Sequence, residues 1–341
     1  MDFAFINKEA RKSSGINIAI IGAGISGLSS AGYLSNAGHS VTVFERLSVA
    51  GGLMTYGIPE WRIPLENVQQ GVDRLHNEFG VQFEFNTKIV SMSDEEDTIG
   101  DIVVQHKRTL EDVRNNFHAV LVTTGAWGER HLNIKGEGLQ GVYSGIDFLY
   151  RVRAQHYDSH VEHIDVSNKR VVIIGAGFTA IDVATRAMGL GAKSVALVYR
   201  RTSKEAPAGL YEINHVVEKG TRWIEKHSPV AVLGSTHVEA MRFHDGNSDS
   251  DIDIECDIVL KAVGDIPLYP HIEMCTAIAK EKNYSLMQKE KLYMAGDALT
   301  GASKLGKAAR NGMMISRRLI TDLEEGKTSF YFDKSKVALH I

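Results

Sequence analysis

Twice in this chain a short β-branched run opens directly into a glycine loop, and that repetition restricts the fold more than any other feature. Residues 16–21, Ile-Asn-Ile-Ala-Ile-Ile, lead into Gly22-Ala-Gly24-Ile25-Ser26-Gly27, and Arg170-Val-Val-Ile-Ile174 leads into Gly175-Ala-Gly177-Phe178-Thr179-Ala180. A run apolar on both faces suits a central parallel strand. The first glycine permits a tight turn, the second lets backbone approach a pyrophosphate, and the third lets the helix pack on the strand. The helix N-terminus then offers N–H donors to the phosphates. Strand, turn and helix in this order predict two Rossmann-like dinucleotide-binding domains in an α/β chain.

The strand that follows each loop separates the two sites. Ser40-Val-Thr-Val-Phe-Glu45 ends in an acid 18 residues after Gly27, near the roughly 20 expected of a group that hydrogen-bonds a ribose hydroxyl. Ser194-Val-Ala-Leu-Val-Tyr ends instead in Arg200-Arg201, and Ala180 replaces the third glycine. An acid would repel a 2′-phosphate, whereas guanidinium groups hold one bidentately, so the second site is expected to prefer NADP to NAD. Three further strands end in small-residue turns: Val120 to Gly125-Ala, Asp257 to Gly264-Asp-Ile-Pro267, and Lys291 to Gly296-Asp297, where the acid can accept from a ribityl hydroxyl. A helix is expected from about Lys304 to Glu324.

Composition removes several alternatives. With 341 residues and 43% hydrophobic side chains there is material for about two domains, and 38 Lys+Arg against 42 Asp+Glu leave a net charge of −4 with no basic block. Nucleic acid is therefore not an expected partner, and no apolar run reaches the roughly 18–20 residues that span a bilayer. The first twelve residues mix acid with base and do not read as a signal peptide, so a cytoplasmic location is expected. Cys256 and Cys275 are the only cysteines, too few for a disulfide framework, a four-cysteine zinc site or an iron–sulfur cluster. His156, His160 and His163 fall at i, i+4 and i+7, a spacing that on a helix would align three imidazoles. The favoured expectation is a polar connection between domains, and no metal is assigned. The acidic run Asp94–Asp97 and the tract Asp245–Asp251 are expected to be solvated hairpin loops.

These motifs carry a family resemblance. The first loop with Glu45, Gly51-Gly52-Leu53-Met-Thr-Tyr-Gly57-Ile-Pro59-Glu-Trp-Arg62-Ile-Pro64, Thr124-Gly125-Ala-Trp127, the second loop through Asp182, Tyr-Arg200-Arg201 and Ala-Gly296-Asp297 resemble the NADPH-dependent FAD oxidoreductases typified by the glutamate synthase small subunit. Glu205-Ala-Pro207-Ala208, Glu212 and Glu218-Lys-Gly220 add to the match, which covers roughly residues 16–325. Adrenodoxin reductase and thioredoxin reductase share the architecture. The resemblance implies an FAD domain formed by residues 1–130 and 265–341 with an NADPH domain, 131–264, inserted. It draws the FAD site from Gly22, Gly24, Ile25, Ser26, Gly27, Glu45, Arg46, Gly52, Leu53, Gly57, Arg62, Thr124, Gly125, Gly296, Asp297, Lys304 and Leu305. It draws the NADPH site from Gly175, Gly177, Phe178, Thr179, Ala180, Arg200, Arg201 and Gly264. Phe178 departs from the family, which more often has Asp or Asn there.

The implied chemistry is hydride transfer from NADPH to flavin, in which the chain supplies clamps and an electrostatic sink and no side chain is assigned a catalytic role. The family's cysteine-rich iron–sulfur domain has no counterpart in this sequence, and Cys256 and Cys275, 19 positions apart, match no redox pair. Electrons are expected to leave the flavin directly for an external acceptor, either a glutamate synthase large subunit or, in the alternative of a ferredoxin–NADP reductase, a ferredoxin. A redox-sensing module without turnover is the third reading. The inserted domain is expected to hinge through crossings near Trp127–Asn133 and Gly264–Pro267.

Overall fold

The computed structural model describes residues 1–3, 12–91, 98–269 and 273–325; the acidic run at 94–97 lies outside them. Two compact units emerge. One comprises residues 1–55, 60–128 and 266–341, and the other Tyr56–Pro59 and Glu129–Asp265.

In chain order the elements that build the two sites are β1 (Asn17–Ile21), α1 (Ile25–Asn36), β2 (Ser40–Phe44), α2 (Leu65–Phe79), β3 (Gln82–Glu84) and β4 (Ala119–Val122). In the second unit follow β5 (Val142–Ser144), α3 (Gly145–Ala154), β6 (Arg170–Ile174), α4 (Phe178–Gly189), β7 (Ser194–Val198), β8 (Arg222–Ile224), β9 (His227–Leu233), β10 (Ala240–Asp245), β11 (Ser250–Glu255) and β12 (Ile258–Lys261). The chain then returns to the first unit with β13 (Leu292–Met294) and α5 (Leu305–Glu324).

The first unit holds a five-stranded sheet in the order β13-β4-β1-β2-β3 and the second a five-stranded sheet in the order β8-β7-β6-β12-β5. Every pairing in both is parallel. The glycine-loop strands sit at the centre of each, which is why they are apolar on both faces. In β6, Val171 and Ile173 pack with Phe148, Ala180, Ile181 and Ala184 of α3 and α4. Val172 and Ile174 point the other way, against Val232, Met241 and Phe243 of the antiparallel layer β9-β10-β11. Full burial of each such side chain contributes roughly 1.5–3 kcal/mol, so the alternation locks β6 between two cores. Within the tract Asp245–Asp251, residues 246–249 form the exposed hairpin turn joining β10 to β11, and Asp245, Ser250 and Asp251 belong to the strand ends.

In the first unit, α5 lies against α1 at a distance only small residues permit. A Cβ on Gly312 would stand 2.6 Å from the Ser26 carbonyl oxygen, and one on Gly27 would stand 2.0 Å from the Gly22 carbonyl oxygen. The third glycine of the first loop is thus required by packing within the chain. Its counterpart Ala180 is fully buried in the second core, so there the extra methyl is packed and the loop tolerates it. No helix of the described residues is long and apolar enough to cross a membrane.

Candidate dinucleotide sites

The two glycine loops share one construction. The Gly22 N–H donates to the Phe44 carbonyl over 2.8 Å, and the Gly175 N–H donates to the Val198 carbonyl over 2.9 Å, so each loop is pinned to the end of the neighbouring strand. Gly22 and Gly175 have φ of 103° and 132°, the region that favours glycine. A Cβ on Gly175 would also stand 2.2 Å from the Ala262 carbonyl oxygen. Gly24 and Gly177, the N-caps of α1 and α4, differ in kind: a Cβ on either would meet no heavy atom within 4 Å. Nothing in the chain forbids a side chain there, and the space left open is what a pyrophosphate approaching helix N–H groups requires. Neither helix carries an acid in its first turn, which leaves the positive end of the dipole for an anion. The residues present therefore fit a dinucleotide at each loop.

Glu45 follows β2 and is buried, its Oε2 accepting from the Ala23 N–H at 2.6 Å and its Oε1 from the Leu47 N–H at 2.9 Å. Burial raises its pKa, while those amides and the Arg46 charge oppose the rise. The carboxylate thereby orients the loop itself, and a second lone pair on each oxygen stays available to a hydroxyl. Arg46 is committed elsewhere: its Nη1 donates to Thr98 Oγ1 at 2.6 Å, and the guanidinium lies 5.2 Å from the centre of the Trp127 ring. Gly51 donates its N–H to the Ala23 carbonyl, and a Cβ on Gly52 would stand 2.9 Å from Gly24 Cα, so the Gly52-Leu53 turn abuts the first loop. Gly57 lies in the Tyr56–Pro59 segment grouped with the second unit, and Arg62 is exposed. Thr124 donates its hydroxyl to the Leu268 carbonyl, and Leu268 N–H donates to the Gly125 carbonyl.

At the end of β13, Gly296 has φ 63°, and a Cβ there would stand 2.6 Å from Ser26. Its N–H donates to Asn311 Oδ1 at 2.7 Å, and Asp297 accepts from the Ser303 hydroxyl at 2.6 Å. Burial raises the Asp297 pKa against that bond. Ile25, Ser26, Gly296, Asp297, Lys304 and Leu305 belong to the first unit, with Lys304 the N-cap of α5 and Leu305 its first residue. Asn311 and Ser303 were invisible to motif reading, because each acts on a residue brought to it only by folding.

In the second unit Arg200 and Arg201 leave β7 exposed, on a loop held from several sides. Glu205 Oε2 accepts from the Thr202 N–H and hydroxyl, Glu225 Oε2 accepts from the Ser203 N–H at 2.6 Å, and the Lys226 N–H donates to the Arg201 carbonyl. Glu225, from just beyond β8, is a positioning residue that no motif marks. Phe178, 39% exposed, and Thr179 open α4. Gly264 has φ 98°, with Arg130 Nε 3.8 Å from where a Cβ would stand.

Near the chain's passages between the units, Lys261 Nζ donates to Glu137 Oε1 at 2.6 Å and to Glu129 Oε1. Glu129, His131 and Glu137 bring ligand-type atoms within 4.8 Å of one another, but the position between the two carboxylates is taken by the ammonium. Burial holds Asp265 well above the usual range, to about 7, with Glu129 adding to the rise and Arg130 opposing it. A carboxyl raised in the folded state costs stability as pH climbs from its unfolded pKa through 7. Asp265→Asn should therefore exceed wild type in stability by only about 1.5 kcal/mol near pH 5 and by up to about 4 kcal/mol at pH 8. Urea titrations at the two pH values decide this, and an equal difference at both would refute the buried-carboxyl reading.

Cys256 and Cys275 are fully buried, and burial pushes both thiols up to about 12. They lie in different units. Neither should react with a thiol reagent in native protein at neutral pH, and Cys256→Ala with Cys275→Ala should leave any reduction of bound flavin intact; rapid native labelling would contradict this. The histidine segment departs from a helical spacing. Helix α3 ends at Ala154, and His160 Nδ1 meets Asp158 Oδ1 at 3.0 Å while His163 Nδ1 meets Gln155 Nε2 at 3.1 Å. The segment joins α3 to β6 within the second unit instead of linking domains. Asp158 bonds the His160 N–H with its own side chain, a local turn that competes with helix.

The chain is 28% identical over 327 residues to the glutamate synthase [NADPH] small chain of Azospirillum brasilense, covering 87% of this chain and 64% of that one. It is 31% identical over 331 residues to the NADPH-Fe(3+) oxidoreductase subunit beta of Geobacter sulfurreducens, covering 90% and 45%. It thus spans about half to two thirds of the length of these relatives. Among solved structures, Mycobacterium tuberculosis FprA in complex with NADPH matches with a TM-score of 0.72 at 18% identity, covering 93% of this chain and 86% of that one. Thioredoxin reductase of T. acidophilum matches with a TM-score of 0.62 at 20% identity, covering 91% and 99%. The pyridine nucleotide-disulphide oxidoreductase model matches residues 16–312, and with both glycine loops, both parallel sheets and their order inside that span, the chain belongs to the pyridine nucleotide-disulphide oxidoreductase family.

Proposed function

We propose that the chain holds FAD at the Gly22 loop and NADPH at the Gly175 loop and passes reducing equivalents from NADPH through the flavin to an acceptor outside the chain, as the electron-input component of a glutamate synthase-type enzyme. The observation that carries this reading is the contrast between two otherwise matching loops, one ending at a buried acid, Glu45, and the other at two exposed arginines. The acid suits a ribose hydroxyl, and the arginines suit a 2′-phosphate. The bound flavin supplies hydride acceptance and onward electron transfer. Around it, the first-turn N–H groups of α5 would stabilise developing negative charge, and Asp297, held by Ser303, would orient a ribityl hydroxyl.

Relatives support a shared nucleotide end with differing acceptors. They include a glutamate synthase [NADPH] small chain, an NADPH-Fe(3+) oxidoreductase subunit beta and, at 26% identity, the NADP(+)-dependent formate dehydrogenase subunit beta of Moorella thermoacetica. Purified chain should be yellow and lose its oxidised-flavin absorbance on anaerobic mixing with NADPH. Folded protein that takes up no FAD, or a flavin that NADPH leaves oxidised, would remove the proposal; bleaching would remove the sensor without turnover.

A further inference from the structure

Helix α5 carries charges that its packing does not need. It buries Ala308, Ala309, Gly312, Ile315, Ser316 and Leu319. The opposite face exposes Lys307, Arg310, Met314, Arg317 and Arg318, with Met314 56% exposed, and no acid occurs between Leu305 and Thr321. At 1.5 Å per residue the stripe is about 16 Å long. Arg318 is held by the buried Asp322 at 2.9 Å, whereas Lys307, Arg310 and Arg317 have no carboxylate within 4 Å among the described residues. Lys304 and Lys307 also put positive charge at the helix N-terminus, against the dipole, where an acid would stabilise. In a chain of net charge −4 this is a local feature and no spillover of a basic composition.

We infer that this face of α5 is the docking surface for a further electron acceptor, an acidic one-electron carrier protein distinct from the glutamate synthase-type partner. The inference rests on the proposed NADPH-driven flavin chemistry. The stripe starts at the turn where Ser303 holds Asp297 and continues past Asn311, which holds Gly296, so it leads away from the proposed flavin site. A single exposed methionine between Arg310 and Arg317, neither within 4 Å of a carboxylate among the described residues, gives a small apolar contact with electrostatic steering, the composition of a weak, fast electron-transfer interface. One NADPH gives two electrons as a hydride; two oxidised carriers each take one, and NADP+ and one proton are released.

The test uses the FAD-loaded chain with a strongly acidic [2Fe–2S] ferredoxin as probe and menadione, an uncharged quinone, as control acceptor. NADPH-driven ferredoxin reduction should lose about tenfold in kcat/KM between low and physiological salt. Arg310→Glu with Arg317→Glu should lower it by about 10- to 100-fold, Arg310→Gln with Arg317→Gln by less, and menadione reduction should stay unchanged. Calorimetric affinity for oxidised ferredoxin should weaken in step. Unchanged affinity and kcat/KM in the charge-reversed chain would overturn the inference. So would a wild-type chain that reduces menadione but neither binds nor reduces ferredoxin, or one that holds anionic phospholipid vesicles through Arg310 and Arg317 and ignores ferredoxin. Failure to reduce menadione from NADPH would count against the flavin reading itself, and calorimetric binding would still decide the docking surface.

Discussion

Replacing Arg200 and Arg201 together by alanine is expected to lower the preference for NADPH over NADH by about 10- to 1000-fold, if each guanidinium contributes ~1–2 kcal/mol to a charge-assisted phosphate contact. The effect should lie almost wholly in the concentration of NADPH needed for half-maximal flavin reduction. The phosphate is remote from the reacting carbon, and its contacts are equally present before and during hydride transfer. NADH, which lacks the phosphate, should reduce the flavin about as well in the variant as in wild type. The loop should survive the change: Glu205 holds Thr202, Glu225 holds Ser203 and the Lys226 N–H holds the Arg201 carbonyl, none through a guanidinium. Arg200→Lys with Arg201→Lys should recover only part of the preference, because an ammonium lacks the bidentate fork. Equal efficiencies for the two nucleotides in wild-type protein, or an undiminished preference in the alanine pair, would dismiss these residues as the discriminating group.

What the residues disclose before folding is uneven, for physical reasons. Each glycine loop was legible because turn, helix start and preceding strand are consecutive, so one stretch of chain carries the whole signal. The β6 run predicted a buried central strand, and its alternation between two cores explains why no polar face interrupts it. The last helix was legible from Lys304 to Glu324, and the structure places it over Leu305–Glu324. Groups that act across distance were not legible. Asn311 reaches Gly296, Glu225 reaches Ser203 and Thr123 Oγ1 reaches the Gly22 carbonyl, and none of these pairs follows from spacing. The histidines, expected in a connection between domains, lie instead in a turn within the second unit, where an aspartate bonds the backbone two residues on.

Lys261→Ala is expected to cost about 3–5 kcal/mol at pH 8, the usual penalty for leaving buried charge without its partner. The Lys261 side chain is 4% exposed and that of Glu137 13%, so water cannot replace the ammonium. In wild type, burial acts to raise the Glu137 pKa, but the Lys261 bond and the Leu132 and Asn133 amides outweigh it and hold the carboxylate down to about 2. A depressed carboxylate stabilises the fold fully above its unfolded pKa, and that stabilisation fades as pH falls from about 4.5 toward 2. Removing Lys261 takes away the strongest opposing interaction and leaves burial to push Glu137 up, so the variant should bind protons that wild type does not. Its deficit must then shrink as pH is lowered from 8 to 5, opposite to a simple packing loss from a missing side chain, which would be nearly independent of pH. Lys261→Met combined with Glu137→Gln and Glu129→Gln should recover most of the stability at pH 8. No charge is then left to neutralise, and the side-chain amide oxygen introduced by Glu137→Gln can still accept from a backbone N–H. Unfolding curves at the two pH values separate these cases: a deficit of the same size at both, or no recovery in the triple variant, would show that Lys261 stabilises by volume and not by charge.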